Sequence, residues 1–268
     1  MAARFNPAQG LIGLRRLCKV TDTERVLRNL MDIPLQDLID STKLPDRGGN
    51  KRSFKLSEHK VPVPPEKLAQ MEEHPSANGE RILEAKLINL RRRSSEGQDV
   101  WHHLVAWQIP LFDKREKKGW GYVDLLGLST NGSPVVVELK RGNNSGCTPL
   151  AALLEALSYA LVIAKQWGKL REELRLERSL PDNLPEKVRS NEVGLVILAS
   201  EDYWKHWQKE KGKFAKSVSD FNELLKNMRD YGFSVQLCCM DLENAPTRIK
   251  TREDMPQAGT DKIGYSSW

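Results

Sequence analysis

An α/β fold is predicted for this chain of 268 residues by three observations. Two strand-like runs, Gly121-Tyr-Val-Asp-Leu-Leu-Gly127 and Val135-Val-Val-Glu-Leu-Lys-Arg-Gly142, flank a turn signal. Apolar residues at helical spacing lie on either side of them. Two further apolar runs, 192–199 and 233–239, read as buried strands around a helical stretch near 217–231. Strands that alternate with helical patterns imply a sheet covered by helices.

From the N-terminus, two short helical patterns at 21–31 and 34–41 precede Asp46-Arg-Gly-Gly-Asn-Lys-Arg52 and the proline-rich Val61-Pro-Val-Pro-Pro65. Residues 1–60 hold twelve Lys/Arg against seven Asp/Glu, so +5 of the formal charge of +6 falls there. Such an excess holds phosphates without reading sequence. Residues 1–65 are read as a basic accessory region and linker, with Arg47, Lys51 and Arg52 as candidate phosphate contacts; a dimerisation arm and a partly disordered tail are the alternatives. The core domain is assigned to 66–243. The polar stretch 244–268 is a C-terminal tail with a short strand at 247–250.

The core opens with a helix over 78–90, whose apolar positions 82, 83, 87 and 90 share one face while Glu80 and Glu84 stack one turn apart on another. Two solvated carboxylates near a helix N-terminus are the plain alternative. Residues 100–109 form the first strand. His102 and His103 in it point to opposite faces, so they cannot chelate one metal from one side.

The next two strands carry the chemistry. Alternation puts Val135, Val137 and Leu139 on one face of the third strand, expected to be core, and Glu138 and Lys140 on the other, about 7 Å apart. The intervening Ser129-Thr-Asn-Gly-Ser133 is a hairpin signal. A two-residue Asn131-Gly132 turn would pair Asp124 with Leu139. A three-residue Thr130–Gly132 loop, with Gly132 left-handed, sets Asp124 opposite Glu138, and this second register is the one expected. Paired carboxylates hold a hard divalent cation that keeps waters and substrate phosphate as its other ligands. Such an ion lowers the pKa of a bound water that attacks the phosphate, and Lys140 would position that water or neutralise phosphate charge. A surface hairpin with an ordinary Glu/Lys pair is the plain alternative.

Thr148-Pro149 starts the following helix, with Thr148 as cap and Pro149 in the first turn. To Ala164 its only charged side chain is Glu155, which must face water, a partner or the metal site. Interrupted by Glu155, this apolar stretch is expected to be too short to span a bilayer. No N-terminal signal pattern and no Cys-x-x-Cys or Cys/His spacing occurs, so a cytoplasmic protein without a membrane partner, a zinc site or a disulfide framework is expected. Arg91-Arg-Arg93 and Lys114-Arg-Glu-Lys-Lys118 read as solvated charge runs. Tyr203-Trp-Lys-His-Trp207, with lysines following it, fits either a single-strand binding surface or an amphipathic helix with inward tryptophans.

Tyr122-Val-Asp-Leu-Leu-Gly and Val136-Val-Glu-Leu-Lys-Arg-Gly resemble the core of the PD-(D/E)XK nuclease superfamily, most closely its NucS-type and RecB-type branches. The resemblance covers roughly 79–164. It implies a restriction-endonuclease-like core of α-β-β-β-α-β order, with a mixed sheet flanked by helices and here an N-terminal accessory region. It also implies a Mg²⁺- or Mn²⁺-dependent endonuclease acting on DNA, with RNA as the other polymer of the same chemistry. Asp124 and Glu138 would hold the metal and Lys140 would serve the nucleophile, with Arg141 beside it as a DNA contact. The Glu-x-x-Leu-Glu-x-x-Leu from Glu80 is similar to the opening helix of these enzymes, which often adds an acid to the site, so Glu80 and Glu84 are auxiliary candidates. The Gln-x-x-x-Tyr of the branch corresponds to Glu155-Ala-Leu-Ser-Tyr159, with Glu for Gln; Glu155 and Tyr159 complete the auxiliary set. A homodimer is compatible with this reading. The competing function is a non-catalytic nucleic-acid-binding or assembly subunit built on the same fold; the intact motif argues against degeneration.

Overall fold

The structure is a computed structural model that describes residues 26–27, 30–31, 34–41, 63–91, 103–110, 122–142, 147–177, 184–208, 217–240 and 249–252. In chain order the elements are α1 (Leu35–Ser41), α2 (Pro65–Glu72), α3 (Pro75–Arg91), β1 (His103–Pro110), β2 (Tyr122–Leu128), β3 (Pro134–Lys140), α4 (Pro149–Glu177), β4 (Gly194–Ser200), α5 (Glu201–Gln208), α6 (Val218–Asp230), β5 (Val235–Met240) and β6 (Ile249–Arg252). The strands form one mixed sheet in the order β1-β2-β3-β4-β5-β6. β1 with β2, β2 with β3, and β5 with β6 are antiparallel. Helices connect β3 to β4 and β4 to β5, the long crossovers that parallel neighbours require.

Backbone contacts divide the chain into two units, Met1–Pro45 with Lys140–Ser158 and Val196–Trp268, and Asp46–Leu139 with Tyr159–Leu195. In the second unit α3 packs against β1 and β2. The proline-rich stretch ends at a helix that the sequence reading did not anticipate: Pro65 occupies the first turn of α2, where its missing N–H costs nothing. Just before it, Val63 is fixed to α3 by Asn89, whose Oδ1 accepts the Val63 N–H at 2.7 Å and whose Nδ2 donates to the Val63 carbonyl at 3.1 Å. At the start of β4, any side chain at Gly194 would meet Val135 Cγ2 at 3.1 Å, so glycine allows this close approach.

In the first unit, Val26, Leu27, Leu30 and Leu38 are buried, so the described part of the basic N-terminal region contributes apolar packing. Phe221, Leu224, Leu225 and Met228 form the buried stripe of α6 at helical spacing. The Ser200 hydroxyl accepts the N–H of Tyr203, capping α5, and that of Gly142 at 2.8 Å, anchoring the chain just beyond β3.

Two expectations are corrected. β3 is buried along its whole length, on both faces rather than one, as befits a strand with neighbours on both sides in an α/β sheet. α4 runs well past 164, and over Pro149–Arg175 it is long and apolar enough to cross a membrane by length and composition; 83% of its most apolar window is buried inside the protein. The apolar run hid this extension. Beyond Ala164 the pattern turns amphipathic, with Trp167, Leu170 and Leu174 buried while Lys165, Lys169 and Glu172 are exposed. Trp167 Nε1 donates to the Pro185 carbonyl at 2.7 Å, tying this half of the helix to the chain before β4.

The β2–β3 turn has the expected three-residue form. Ser129 N–H donates to the Ser133 carbonyl and Gly132 N–H to the Ser129 carbonyl, each at 2.9 Å. Ser133 N–H also donates to Asn131 Oδ1 at 3.2 Å. Gly132 has φ 80°, a conformation that an L side chain resists. Replacing it tests the turn: Gly132→Ala is expected to cost about 1 kcal/mol, read as a lower urea midpoint, and an unchanged midpoint would contradict a left-handed residue at this position.

Candidate functional site

The hairpin register places the carboxylates. Leu125 pairs with Val137 and Leu126 with Val136, so the same register sets Asp124 opposite Glu138. Beyond the Leu125–Val137 pair, the Leu139 N–H is taken by Asp124 Oδ2 at 2.8 Å. A side-chain oxygen thus closes the ladder at the point where the charged residues begin. Asp124 is half-buried and Glu138 is 2% exposed.

On the other side of β2, a bulge between Leu104 and Ala106 shifts the β1 register. Pairing of Trp107 with Leu125 and of Ile109 with Val123 then brings Gln108 opposite Asp124. Gln108 has φ 48°, and among the described residues it is the only non-glycine with positive φ. A glutamine held there stores about 1–3 kcal/mol of backbone strain. Its Nε2 donates to Glu84 Oε2 at 2.7 Å. Gln108, Asp124 and Glu138 therefore form a row across three strands, with α3 supplying Glu84.

Glu84 is 1% exposed, which rules out the solvated-helix alternative for this residue. Its carboxyl is pushed up to about 8, first by burial; the Gln108 hydrogen bond opposes the rise, while the negative charges of Glu138 and then Glu80 add to it. Glu80, one turn earlier, is only half-buried. Of the two acids on this helix, the structure brings Glu84 to Glu138.

Lys140, two residues beyond Glu138 on the same strand, has its ammonium 3.6 Å from Glu155 Oε2, with both side chains nearly buried. The one acid of the helix before Ala164 thus faces a buried cation. Thr148 caps this helix as expected, its hydroxyl accepting the Ala151 N–H at 3.1 Å. Tyr159 is buried and Arg141 is exposed. Arg47, Lys51 and Arg52, together with His102, Arg92, Arg93 and 114–118, lie outside the described residues. The aromatics of α5 pack inward: Tyr203, Trp204 and Trp207 are all buried, with Tyr203 Oη donating to the Cys147 carbonyl and Trp204 Nε1 to the Cys238 carbonyl, each at 3.0 Å. This favours the amphipathic-helix reading over a stacking surface for bases.

Among the described residues no three Asp, Glu, His or Cys side chains form a ready-made metal cage. A Mg²⁺ ion asks for less, since one or two carboxylates suffice when waters and phosphate complete its shell. The donors fit: Asp124 and Glu138 offer carboxylate oxygens on facing strands, beside a Glu84 carboxyl raised first by burial and further by the charge of Glu138. Sequence reasoning missed Gln108. The available signal was a lone amide within the apolar run from Leu104 to Ile109. No family model, curated protein or solved structure matches the chain.

The Glu84 shift has a definite sign. The native state keeps this proton up to about pH 8, while the unfolded chain releases it near 4.5, so the native state binds more protons between those values. Stability should therefore fall as pH rises across that window, by up to about 1.4 kcal/mol per pH unit from this group, and level off above it. Glu84→Gln stays neutral and can still accept from Gln108, so urea unfolding from pH 5 to 9 should show a shallower decline for the variant. Equal slopes would contradict a buried, proton-bearing Glu84.

Proposed function

We propose that the protein is a divalent-metal-dependent nuclease with a restriction-endonuclease-like core, acting on DNA. The observation that carries this reading is the register that sets Asp124 opposite Glu138, with Lys140 next on the same strand face. The element order from α3 to β4, α-β-β-β-α-β, agrees with that core.

Asp124 and Glu138 would hold the cation, Mg²⁺ or Mn²⁺. When bound, the ion polarises the phosphate and lowers the pKa of a coordinated water. The protein's own groups do the rest. Asp124 Oδ2 accepts the Leu139 N–H, which orients the carboxylate. Glu84, neutral below about pH 8, can hydrogen-bond without adding full charge to the pair. Lys140 is held by Glu155 and would orient the attacking water or offset charge on a phosphate oxygen. Water adds to phosphorus, one P–O ester bond breaks, and the departing oxygen takes up a proton. Exposed Arg141 and the basic residues of the N-terminal region would contact backbone phosphates.

Incubation of the full chain with supercoiled plasmid and with single-stranded DNA tests this proposal. Wild type should cleave only with Mg²⁺ or Mn²⁺. Asp124→Ala, Glu138→Ala and Lys140→Ala should each lose at least about 100-fold in rate, in line with the removal of groups that act on developing charge. Cleavage retained in both carboxylate variants would refute the site assignment. DNA binding without cleavage by wild type would instead support a non-catalytic role for the fold.

A further inference from the structure

Gln108 combines three features that its surroundings do not share. Its backbone is left-handed within a strand, at φ 48°. Its register position is opposite Asp124, itself opposite Glu138. Its amide reaches a buried acid on another element, Nε2 to Glu84 Oε2 at 2.7 Å. Its neighbours Val105, Ala106, Trp107 and Ile109 are all buried and apolar. Glycine would adopt this backbone without steric cost, so what glutamine adds is its amide.

We infer that Gln108 is a positioning residue: its left-handed backbone turns the amide onto Glu84 and holds that carboxyl toward Glu138. Its bearing on a cation rests on the nuclease reading, whereas its hold on Glu84 rests on geometry alone. The chemistry suits the task. An amide N–H donates at every pH and carries no charge, so it fixes a carboxyl without competing for the neighbouring acids as lysine or arginine would. This is the second-sphere hydrogen bonding that orients groups at metal sites.

The test uses the full chain carrying Gln108→Gly, Glu84→Leu, and both together. Mn²⁺ affinity is measured by isothermal titration, and melting temperature is measured without metal. Gln108→Gly relieves the strained backbone and should remain folded, yet bind Mn²⁺ about tenfold more weakly. Gln108→Asn, which tolerates the left-handed backbone but is one methylene shorter, should show the same loss. Glu84→Leu removes the acceptor, so adding Gln108→Gly to it should cause little further loss of Mn²⁺ affinity, and the two substitutions should be non-additive in melting temperature. Wild-type Mn²⁺ affinity in Gln108→Gly, or additive effects in the double variant, would overturn the inference. A wild-type chain that binds no Mn²⁺, with the two substitutions still coupled in melting, would overturn the nuclease reading and leave the hold on Glu84 standing.

Discussion

The three-residue turn between β2 and β3 is the constraint on which the candidate site depends. Side chains alternate along a strand, so a turn one residue shorter would bring Leu139 opposite Asp124 and break the match with Glu138. The left-handed Gly132 and the paired Ser129 and Ser133 fix the count. From that count follow the facing carboxylates and the N–H of Leu139 on Asp124; the β1 register past its bulge then extends the row to Gln108. A local property of five residues thus determines which charges share one face of a buried sheet.

Burial then sets the electrostatics. Buried carboxylates lose hydration and, to a lesser degree, repel one another, and Glu84 responds by keeping its proton to about pH 8. The cation on β3, Lys140, is engaged with Glu155. A ligand that brings two positive charges would relieve the repulsion between Glu138 and its neighbours. That is the physical basis for reading the row as a cation site. The strain at Gln108 fits the same view, since left-handed backbone at a non-glycine residue persists only where its surroundings fix it.

Much of this was legible in the sequence because it depended on local rules. The hairpin register followed from one turn, the start of α4 from Thr148 and Pro149, and the choice of acids from helical spacing that put Glu80 and Glu84 on one face. What escaped depended on tertiary context. Glu84 rather than Glu80 reaches Glu138 because of how α3 lies on β1 and β2, which spacing within a helix cannot decide. The burial of both faces of β3 depends on its place in the sheet, and alternation of residue types concealed it. The continuation of α4 was hidden where an all-apolar run becomes amphipathic at Lys165. Gln108 was missed for another reason: a lone amide marked its position, but a positive φ in a strand leaves no mark when the residue is not glycine.

The central claim is that Asp124 and Glu138 form a divalent-cation site, and anomalous diffraction from crystals of the full chain soaked in Mn²⁺ tests it most directly. The account predicts a Mn²⁺ peak within ligand distance of both carboxylates, absent from Glu138→Ala crystals of the same form. Full-occupancy Mn²⁺ elsewhere on the protein, with none between Asp124 and Glu138, would contradict it.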